Sequence, residues 1–311
     1  MQYRQLGKAG ARVSAVGLGG NNFGRRCDVE QTARVIHHAL DLGINHVDLA
    51  DTYGGNGLSE EYVGRAIANR RSEVFLATKV ASKMGEGAND RGASRSHVLD
   101  GLNASLRRLN TEYVDLYYIH QTDTSTPIEE TMRALDDAVR QGKVRYLGVS
   151  NHAAWRVCAA LWSADKRGYA PFVVSQSPYN VLDRGIEGEL VPFCREFGLG
   201  IVPYSPLAGG LLTGKYRAGE PIPPGVRGHN NPGFQRQLTP ETLGKVARLE
   251  AFAADHGHGA GELAIAWLLA QPVVCSVIAG ATRPEQLDEN AKAGEWQLTP
   301  AEVAEIDLLC Q

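Results

Sequence analysis

Eight apolar runs of strand length alternate with segments of helical periodicity along this 311-residue chain. The runs are nearly continuous, which is typical of parallel strands buried on both faces. Most of them start about 30 residues apart, the length that one strand and its crossover helix take. This order predicts an α/β fold, a (β/α)8 TIM barrel with its helices outside. The runs are AVGLGG from Ala15, INHVDLA from Ile44, VFLATKV from Val74, VDLYYIH from Val114, VRYLGVS from Val144, FVVSQSPY from Phe172, GIVPYSPL from Gly200 and VVCSVIAG from Val273.

Two additions to the barrel are expected. Gly7 and Gly10 lie between short alternating runs, a pattern that predicts an N-terminal β-hairpin. The step from Gly200 to Val273 is longer than the others and contains the segment RAGEPIPPGVRGHNNPGF, followed by a pattern of two extra helices before the eighth strand. We interpret this segment as a functional loop, because helix and strand patterns continue on both sides of it. Residues 1-311 are therefore expected to form a single barrel domain.

An open, doubly wound sheet is the alternative fold. Such a sheet usually carries a G-x-G-x-x-G turn between its first strand and a helix. Here the first strand ends in GLGGNNFG, in which Gly17, Gly19 and Gly20 do not lead into a helix in that register. The closed barrel is favoured.

Composition excludes several classes of partner. The 32 basic and 35 acidic residues are mixed along the chain and give a net charge of -3, so neither nucleic acid nor an anionic membrane is an expected ligand. Five cysteines without a CxxC pair argue against a disulfide framework and against a structural metal. No secretory signal or membrane-length apolar run is found. A cytoplasmic location is expected, and the sequence does not indicate an oligomeric state.

Polar side chains stand where three successive strands end. The second strand ends in Asp48 with Tyr53 just beyond it, the third in Lys79 and the fourth in His120. Each has a structural explanation by itself, since Asp48 and Lys79 could form a salt bridge and His120 could be a core histidine. Because barrel chemistry gathers at the carboxyl ends of the strands, their joint occurrence favours a catalytic site.

The four groups suit proton transfer to a carbonyl oxygen. A tyrosine with an ordinary pKa near 10 needs an adjacent cation to serve as a proton donor at neutral pH. Lys79, kept charged by Asp48, would be that cation, and a neutral His120 could orient the carbonyl. Asp51 is expected to hold the turn that aims Tyr53, and Asp123 is expected to cap a loop.

The motifs DLADTYG, TKV and YIH resemble those that carry the catalytic tetrad in the aldo-keto reductase superfamily. The resemblance to this family extends over essentially the whole chain. The resemblance implies an eight-stranded barrel that binds NADPH in extended form, with Tyr53 as general acid. It also implies cofactor contacts from GVSN, VSQSPYN and VPYSPLAGGLLTGKY. Ser150, Asn151 and Gln176 would bind the nicotinamide amide and Tyr204 would stack on its ring; Ser205, Pro206, Leu207, Gly209 and Lys215 would cover the diphosphate.

The adenosine end is assigned to the segment after the eighth strand. Thr282 and Pro284 indicate a capped helix start, where free amides and Arg283 would favour the 2′-phosphate of NADP. Gln286 and Asn290 match positions that contact adenosine in similar proteins. Vertebrate-type members carry a lysine and an arginine where this chain has Gly280 and Gln286. The chain is more similar to the bacterial and potassium-channel β-subunit branch, in which Arg283 or Arg227 could bind the phosphate.

Three functions follow as hypotheses. The first is reversible NADPH-dependent reduction of an aldehyde or ketone, with NAD less favoured as the cofactor. The second is an NADPH-binding regulatory subunit with little turnover. The third is a Schiff-base aldolase with Lys79 as nucleophile. The sequence identifies neither the substrate nor the preferred direction of reaction.

Overall fold

The structure, a computed structural model, describes residues 1–217, 219–226, 228–229 and 231–310. Eight parallel strands close into a barrel in which each strand pairs with the next along the chain and the last pairs with the first. The predicted (β/α)8 barrel is therefore confirmed. Its strands are β3 (Val16–Gly19), β4 (His46–Asp48), β5 (Phe75–Val80), β6 (Val114–Ile119), β7 (Val144–Ser150), β8 (Phe172–Pro178), β9 (Gly200–Tyr204) and β10 (Val277–Gly280).

Helices surround the barrel. Apolar stripes such as Val35, Ile36 and Ala39 of the first helix are buried against the strands. The helices are α1 (Val29–Asp41), α2 (Tyr53–Asn56), α3 (Leu58–Ala66), α4 (Arg95–Leu109), α5 (Ile128–Arg140), α6 (Ala154–Arg167), α7 (Leu190–Phe197), α8 (Pro232–Gln235), α9 (Pro240–Asp255), α10 (Ala260–Leu269), α11 (Pro284–Ala293) and α12 (Pro300–Leu309). The two helices predicted after the Gly/Pro-rich segment and before the eighth strand are present as α9 and α10, and the short helix α8 lies at the end of that segment. No helix in the described part of the chain is both long and apolar enough to span a membrane.

The predicted N-terminal hairpin is also confirmed. Strands β1 (Tyr3–Gln5) and β2 (Arg12–Ser14) pair in antiparallel fashion. Leu6 and Val13 are fully buried and pack with Leu116 and Val174 from inside the barrel. The hairpin therefore covers the N-terminal end of the barrel with apolar side chains, which leaves the carboxyl ends of the strands as the face available for a site.

The eighth strand begins later than the sequence suggested. We expected it from Val273, but β10 starts at Val277, which lies opposite Val16 of β3. The preceding residues pair with β9 instead of β3: the Ile201 amide donates to the Val273 carbonyl, and the Cys275 amide donates to the Ile201 carbonyl. The apolar run is thus longer than the strand because its first residues lie beyond the end of β3.

We predict that Gly148→Ala destabilises the barrel. A Cβ at Gly148, in the middle of β7, would lie 2.4 Å from Cε1 of the fully buried Tyr118. Overpacking of this kind costs about 1–3 kcal/mol of unfolding free energy, which urea denaturation can measure. Gly188→Ala is the matched control, since a Cβ at Gly188 would have no other group within 4 Å; equal stability of the two variants would contradict the prediction.

Candidate active site

A buried ion pair joins the ends of β4 and β5. The Lys79 side chain is 0% exposed and that of Asp48 is 3% exposed. The Lys79 ammonium donates to the Asp48 carboxylate, and it donates a second bond of 2.6 Å to the Leu49 carbonyl. The other Asp48 oxygen accepts a 2.8 Å hydrogen bond from the Gln176 amide. Both charges are thus compensated, as burial requires.

Tyr53 lies above this pair because of the turn that follows β4. It is the first residue of α2, and Gly54 and Gly55 after it have φ values of 73° and 79°. A Cβ at Gly54 would also lie 2.7 Å from the Phe23 carbonyl, so the tight turn requires glycine there. The turn places the Tyr53 ring centroid 5.0 Å from Nζ of Lys79. The sequence prediction that Tyr53 meets Lys79 is confirmed in space.

His120 completes the group. Its ring approaches that of Tyr53 edge-on, with 6.0 Å between the centroids. Nδ1 of His120 lies 3.3 Å from the Ser82 hydroxyl. Burial lowers the pKa of His120 to about 4, and the Lys79 charge acts in the same direction. The imidazole is therefore neutral at pH 7, as the sequence analysis required of a hydrogen-bond donor to a carbonyl.

The charge of Lys79 does not lower the pKa of Tyr53 overall. Burial raises the pKa of Tyr53 and outweighs the opposing effect of the nearby ammonium. For Lys79 itself, burial would lower the pKa, but the charges and hydrogen bonds of Asp48 and Tyr53 together leave it raised. Lys79 is therefore a cation in this site, and it offsets part of the cost that burial imposes on ionising the phenol.

Two carboxylates near the site differ from each other. Asp123 caps its loop as expected, because it accepts hydrogen bonds from the Ala93 amide and from Ser125 and Thr126. Asp51 follows β4, and its backbone amide donates a 3.2 Å hydrogen bond to the Lys79 carbonyl. Neither of its carboxyl oxygens makes a hydrogen bond of normal geometry to a described residue. The role of Asp51 in holding the turn before Tyr53 stays a prediction.

The residues assigned to a nicotinamide lie on the neighbouring strand ends. Ser150 ends β7, and Asn151 after it has a φ of 58°. The Asn151 carbonyl oxygen of the side chain accepts a 2.9 Å hydrogen bond from the Tyr204 hydroxyl, which links the ends of β7 and β9. Gln176 is 2% exposed and its amide already donates to Asp48. Gln176 thus connects the ion pair to the side of the mouth where Asn151 and Tyr204 lie.

The segment assigned to the diphosphate is an irregular turn. It runs from Ser205, Pro206 and Leu207 into a 3-10 helix, Ala208–Thr213, and several of its residues have positive φ, among them Ser205 (55°), Gly209 (68°) and Gly210 (99°). A Cβ at Gly210 would lie 2.9 Å from Nζ of Lys215, so the lysine packs directly over the glycine. Small residues here leave backbone amides open to a close ligand.

The start of α11 differs in detail from the prediction. The N-cap is Arg283 rather than Thr282, and it has no side-chain cap. Instead Oε1 of Gln286 accepts a 2.8 Å hydrogen bond from the Thr282 amide, so Gln286 holds the turn. Gly280 ends β10 and is exposed, and Asn290 is 7% exposed on α11. Arg227, the second candidate for a phosphate contact, lies outside the described residues.

Arg26 is a residue that the sequence analysis missed. It is exposed in the loop between β3 and α1. Loss of hydration lowers the pKa of Lys215, and the positive charges of Arg26 and Arg283 lower it further. Three cations from distant parts of the chain therefore converge at one edge of the mouth. The Arg25-Arg26 pair after the first strand was the only signal in the sequence. The described residues contain no group of three or more histidines, cysteines or carboxylates placed to hold a metal ion.

Comparison with known proteins agrees with this arrangement. A model of the aldo/keto reductase family matches residues 15–310. The chain is 39% identical over 322 residues to a probable voltage-gated potassium channel subunit beta of Arabidopsis thaliana, covering 100% of this chain and 97% of that protein.

Reductases are among the similar proteins too. L-glyceraldehyde 3-phosphate reductase of Escherichia coli (strain K12) is 38% identical over 99% of this chain and 92% of its own length. Versiconal hemiacetal acetate reductase of Aspergillus parasiticus is 31% identical over 99% of this chain and 96% of its own length. The resemblance stated from the sequence, including the bacterial and channel-subunit branch, is confirmed.

We predict that Lys79→Met lowers the unfolding free energy by about 3–5 kcal/mol, because it leaves the buried Asp48 charge without its cation. The double variant Asp48→Asn/Lys79→Met should recover more than half of that loss, since it removes both charges. Chemical denaturation measures both values. Lys83→Met, whose side chain is 52% exposed and pairs with Glu86, is the control and should change stability by less than about 1 kcal/mol. Additive effects of the two core substitutions would contradict the pairing.

Proposed function

The chain belongs to the aldo/keto reductase family, and from this membership and the geometry of the barrel mouth we propose that it reduces an aldehyde or ketone to the alcohol with NADPH. Enzymes of this kind are NAD(P)H-dependent oxidoreductases that act on carbonyl groups. The observation that carries the proposal is the convergence of Tyr53, His120 and the Lys79–Asp48 pair at the ends of three adjacent strands.

Each of these residues has a defined task in the proposed reaction. The nicotinamide, when bound, supplies the hydride to the carbonyl carbon. Tyr53 donates the proton to the carbonyl oxygen. Lys79 is the nearby cation that favours the phenolate left behind, and Asp48 keeps Lys79 charged. His120, neutral at pH 7, donates a hydrogen bond that orients the carbonyl and stabilises its developing negative charge.

The same mouth suits the nicotinamide end of the cofactor. Asn151, fixed by the Tyr204 hydroxyl, and Ser150 present polar groups at the end of β7. The Tyr204 ring lies on the next-but-one strand, where it can cover one face of a planar ring. We propose that these residues and Gln176 fix the orientation of the nicotinamide ring and so determine which of its faces points toward Tyr53. The hydride must leave from the face nearest the carbonyl.

The phosphate groups have a matching set of donors. Lys215, Arg26 and Arg283 form a cationic edge, and the turn from Ser205 to Gly209 exposes backbone amides beside it. Gly280, Thr282 and Gln286 lie at or just before the first turn of α11, where a helix N-terminus favours negative charge, and Asn290 follows one turn after Gln286. Members of the family generally use NADPH. We propose a preference for NADP over NAD because a 2′-phosphate adds two negative charges for these cations to neutralise.

The two other functions are less favoured. A regulatory subunit would bind NADPH but would show negligible turnover. The complete set of Tyr53, Lys79, Asp48 and His120 argues against negligible turnover. A Schiff-base aldolase needs a neutral lysine as nucleophile. The raised pKa of Lys79 keeps its amine protonated, which argues against this chemistry.

We predict that Tyr53→Phe lowers kcat/KM for the reduction of 4-nitrobenzaldehyde by at least about 100-fold, because the proton donor is lost. NADPH binding, followed by the quenching of protein fluorescence, should stay unchanged. Tyr113→Phe, at the opposite end of the barrel, is the control. A Tyr53→Phe protein with wild-type turnover would refute the assignment, whereas tight NADPH binding without turnover in the wild type would favour the regulatory subunit.

A second prediction concerns Arg26. The variant Arg26→Gln should weaken NADPH binding by about 10- to 150-fold and change NADH binding much less, since one charge-assisted phosphate contact is worth roughly 1.5–3 kcal/mol. Arg25→Gln is the matched control, because Arg25 is the exposed neighbour whose charge is not among those acting on Lys215. Titration of both cofactors by fluorescence gives the ratio. Unchanged NADPH affinity in Arg26→Gln would show that Arg26 does not contact the cofactor.

A further inference from the structure

Asp51 is a buried carboxyl group whose side chain makes no hydrogen bond of normal geometry to any described residue. The residue is 1% exposed, and both carboxyl oxygens are inaccessible to solvent. The Thr52 amide lies near the carboxyl and lowers its pKa, but it does not make a hydrogen bond of normal geometry to either oxygen. Buried ionised groups are normally paired, since removing a lone carboxylate from water costs several kcal/mol. The position of Asp51 therefore favours the protonated form of the carboxyl.

A second buried carboxylate lies behind Asp51. Glu60 of α3 is 0% exposed. One of its oxygens accepts a 2.5 Å hydrogen bond from the Thr78 hydroxyl, and the other accepts a 2.7 Å bond from Nε of Arg108 on α4. Arg108 thus already has an acidic partner, and a charged Asp51 would add a second negative charge to a pair that is neutral as it stands.

The charged and titratable groups that face Asp51 come from several elements. They are Tyr53 of α2, Glu60 of α3, Arg108 of α4, Lys79 of β5 and Tyr117 of β6. Burial raises the pKa of Asp51 to about 7, the charge of Glu60 acts in the same direction, and the charges of Arg108 and Lys79 oppose the rise only in part.

Backbone hydrogen bonds hold the turn that contains Asp51 and Tyr53 next to Lys79. The Asp51 amide donates a 3.2 Å hydrogen bond to the Lys79 carbonyl, and the Tyr53 amide donates a 3.1 Å bond to the carbonyl of Ala50. A negative charge on Asp51 raises the pKa of Tyr53, in opposition to the effect of Lys79. The protonation state of Asp51 therefore acts on the phenol through space.

We propose that Asp51 is a positioning residue that carries a proton in the active form of the protein, so that no second carboxylate opposes the action of Lys79 on Tyr53. Loss of this proton makes Tyr53 a weaker acid and slows proton donation to the carbonyl. This inference rests on the proposed role of Tyr53 as proton donor.

The sign of the pH dependence follows from the raised pKa. Below about pH 7 Asp51 is neutral and carbonyl reduction is fastest. As the pH rises through about 7 the carboxyl ionises, the pKa of Tyr53 rises, and kcat/KM falls to a lower plateau, by about threefold to tenfold. Asp51→Asn, which is neutral at every pH, should remove this step and keep the low-pH rate.

Two charge variants should move the step in opposite directions. Glu60→Gln removes the repelling charge and shifts the step to lower pH. Its amide can keep both contacts, since Oε1 can accept from Arg108 while Nε2 donates to the Thr78 hydroxyl. Arg108→Gln removes an attracting charge and shifts the step to higher pH. Asp115→Asn is the control, because Asp115 is 3% exposed but is paired with Arg71 and Arg145; it should leave the step unmoved. A purely structural role for Asp51 would not produce opposite shifts.

A measurement without turnover separates this inference from the proposed function. Infrared difference spectra between pH 6 and pH 8.5 should show the carbonyl stretch of one protonated carboxyl that disappears as the pH rises, and the band should be absent from Asp51→Asn. If the band titrates but no variant reduces aldehydes, the role of Tyr53 fails while the proton on Asp51 stands. Without the band, or with an unchanged pH step in Asp51→Asn, the inference is overturned.

Discussion

The ion pair between Lys79 and Asp48 is the interaction on which the rest of the site depends. A fully buried ammonium is stable only when a carboxylate and further acceptors replace its water, and here Asp48 and the Leu49 carbonyl do so. The pair joins two barrel strands and points a positive charge at Tyr53. The same buried pair that costs desolvation free energy therefore supplies the positive charge that the proposed proton transfer needs.

Because the surroundings of this pair are apolar, its charges are weakly screened and act strongly on neighbouring groups. Leu6 and Val13 of the N-terminal hairpin cover one end of the barrel with apolar side chains. Burial then shifts the pKa values of several groups at the other end. It keeps His120 neutral and makes Tyr53 harder to ionise, while Lys79 stays charged. One cation among neutral donors is a suitable environment for an oxygen that gains negative charge.

Much of the site could be predicted because barrel topology converts order in the sequence into neighbourhood in space. The predicted strands ending in Asp48, Lys79 and His120 are adjacent in the barrel, so their last side chains had to meet. Details that depend on local hydrogen bonds could not be predicted in this way. Thr282 looked like a helix cap, but its amide is held by Gln286 and the cap position belongs to Arg283.

The sequence by itself determined the barrel and the positions of the catalytic candidates, since the apolar runs fix the strands and the polar residues mark their ends. Only the tertiary structure decided which charges act on one another. The charges of Arg26 and Arg283 act on Lys215 from distant parts of the chain, and the charge of Glu60 acts on Asp51, whose carboxyl makes no hydrogen bond of normal geometry to a described residue. Electrostatic energies depend on distance and burial, and neither quantity can be obtained from residue order alone.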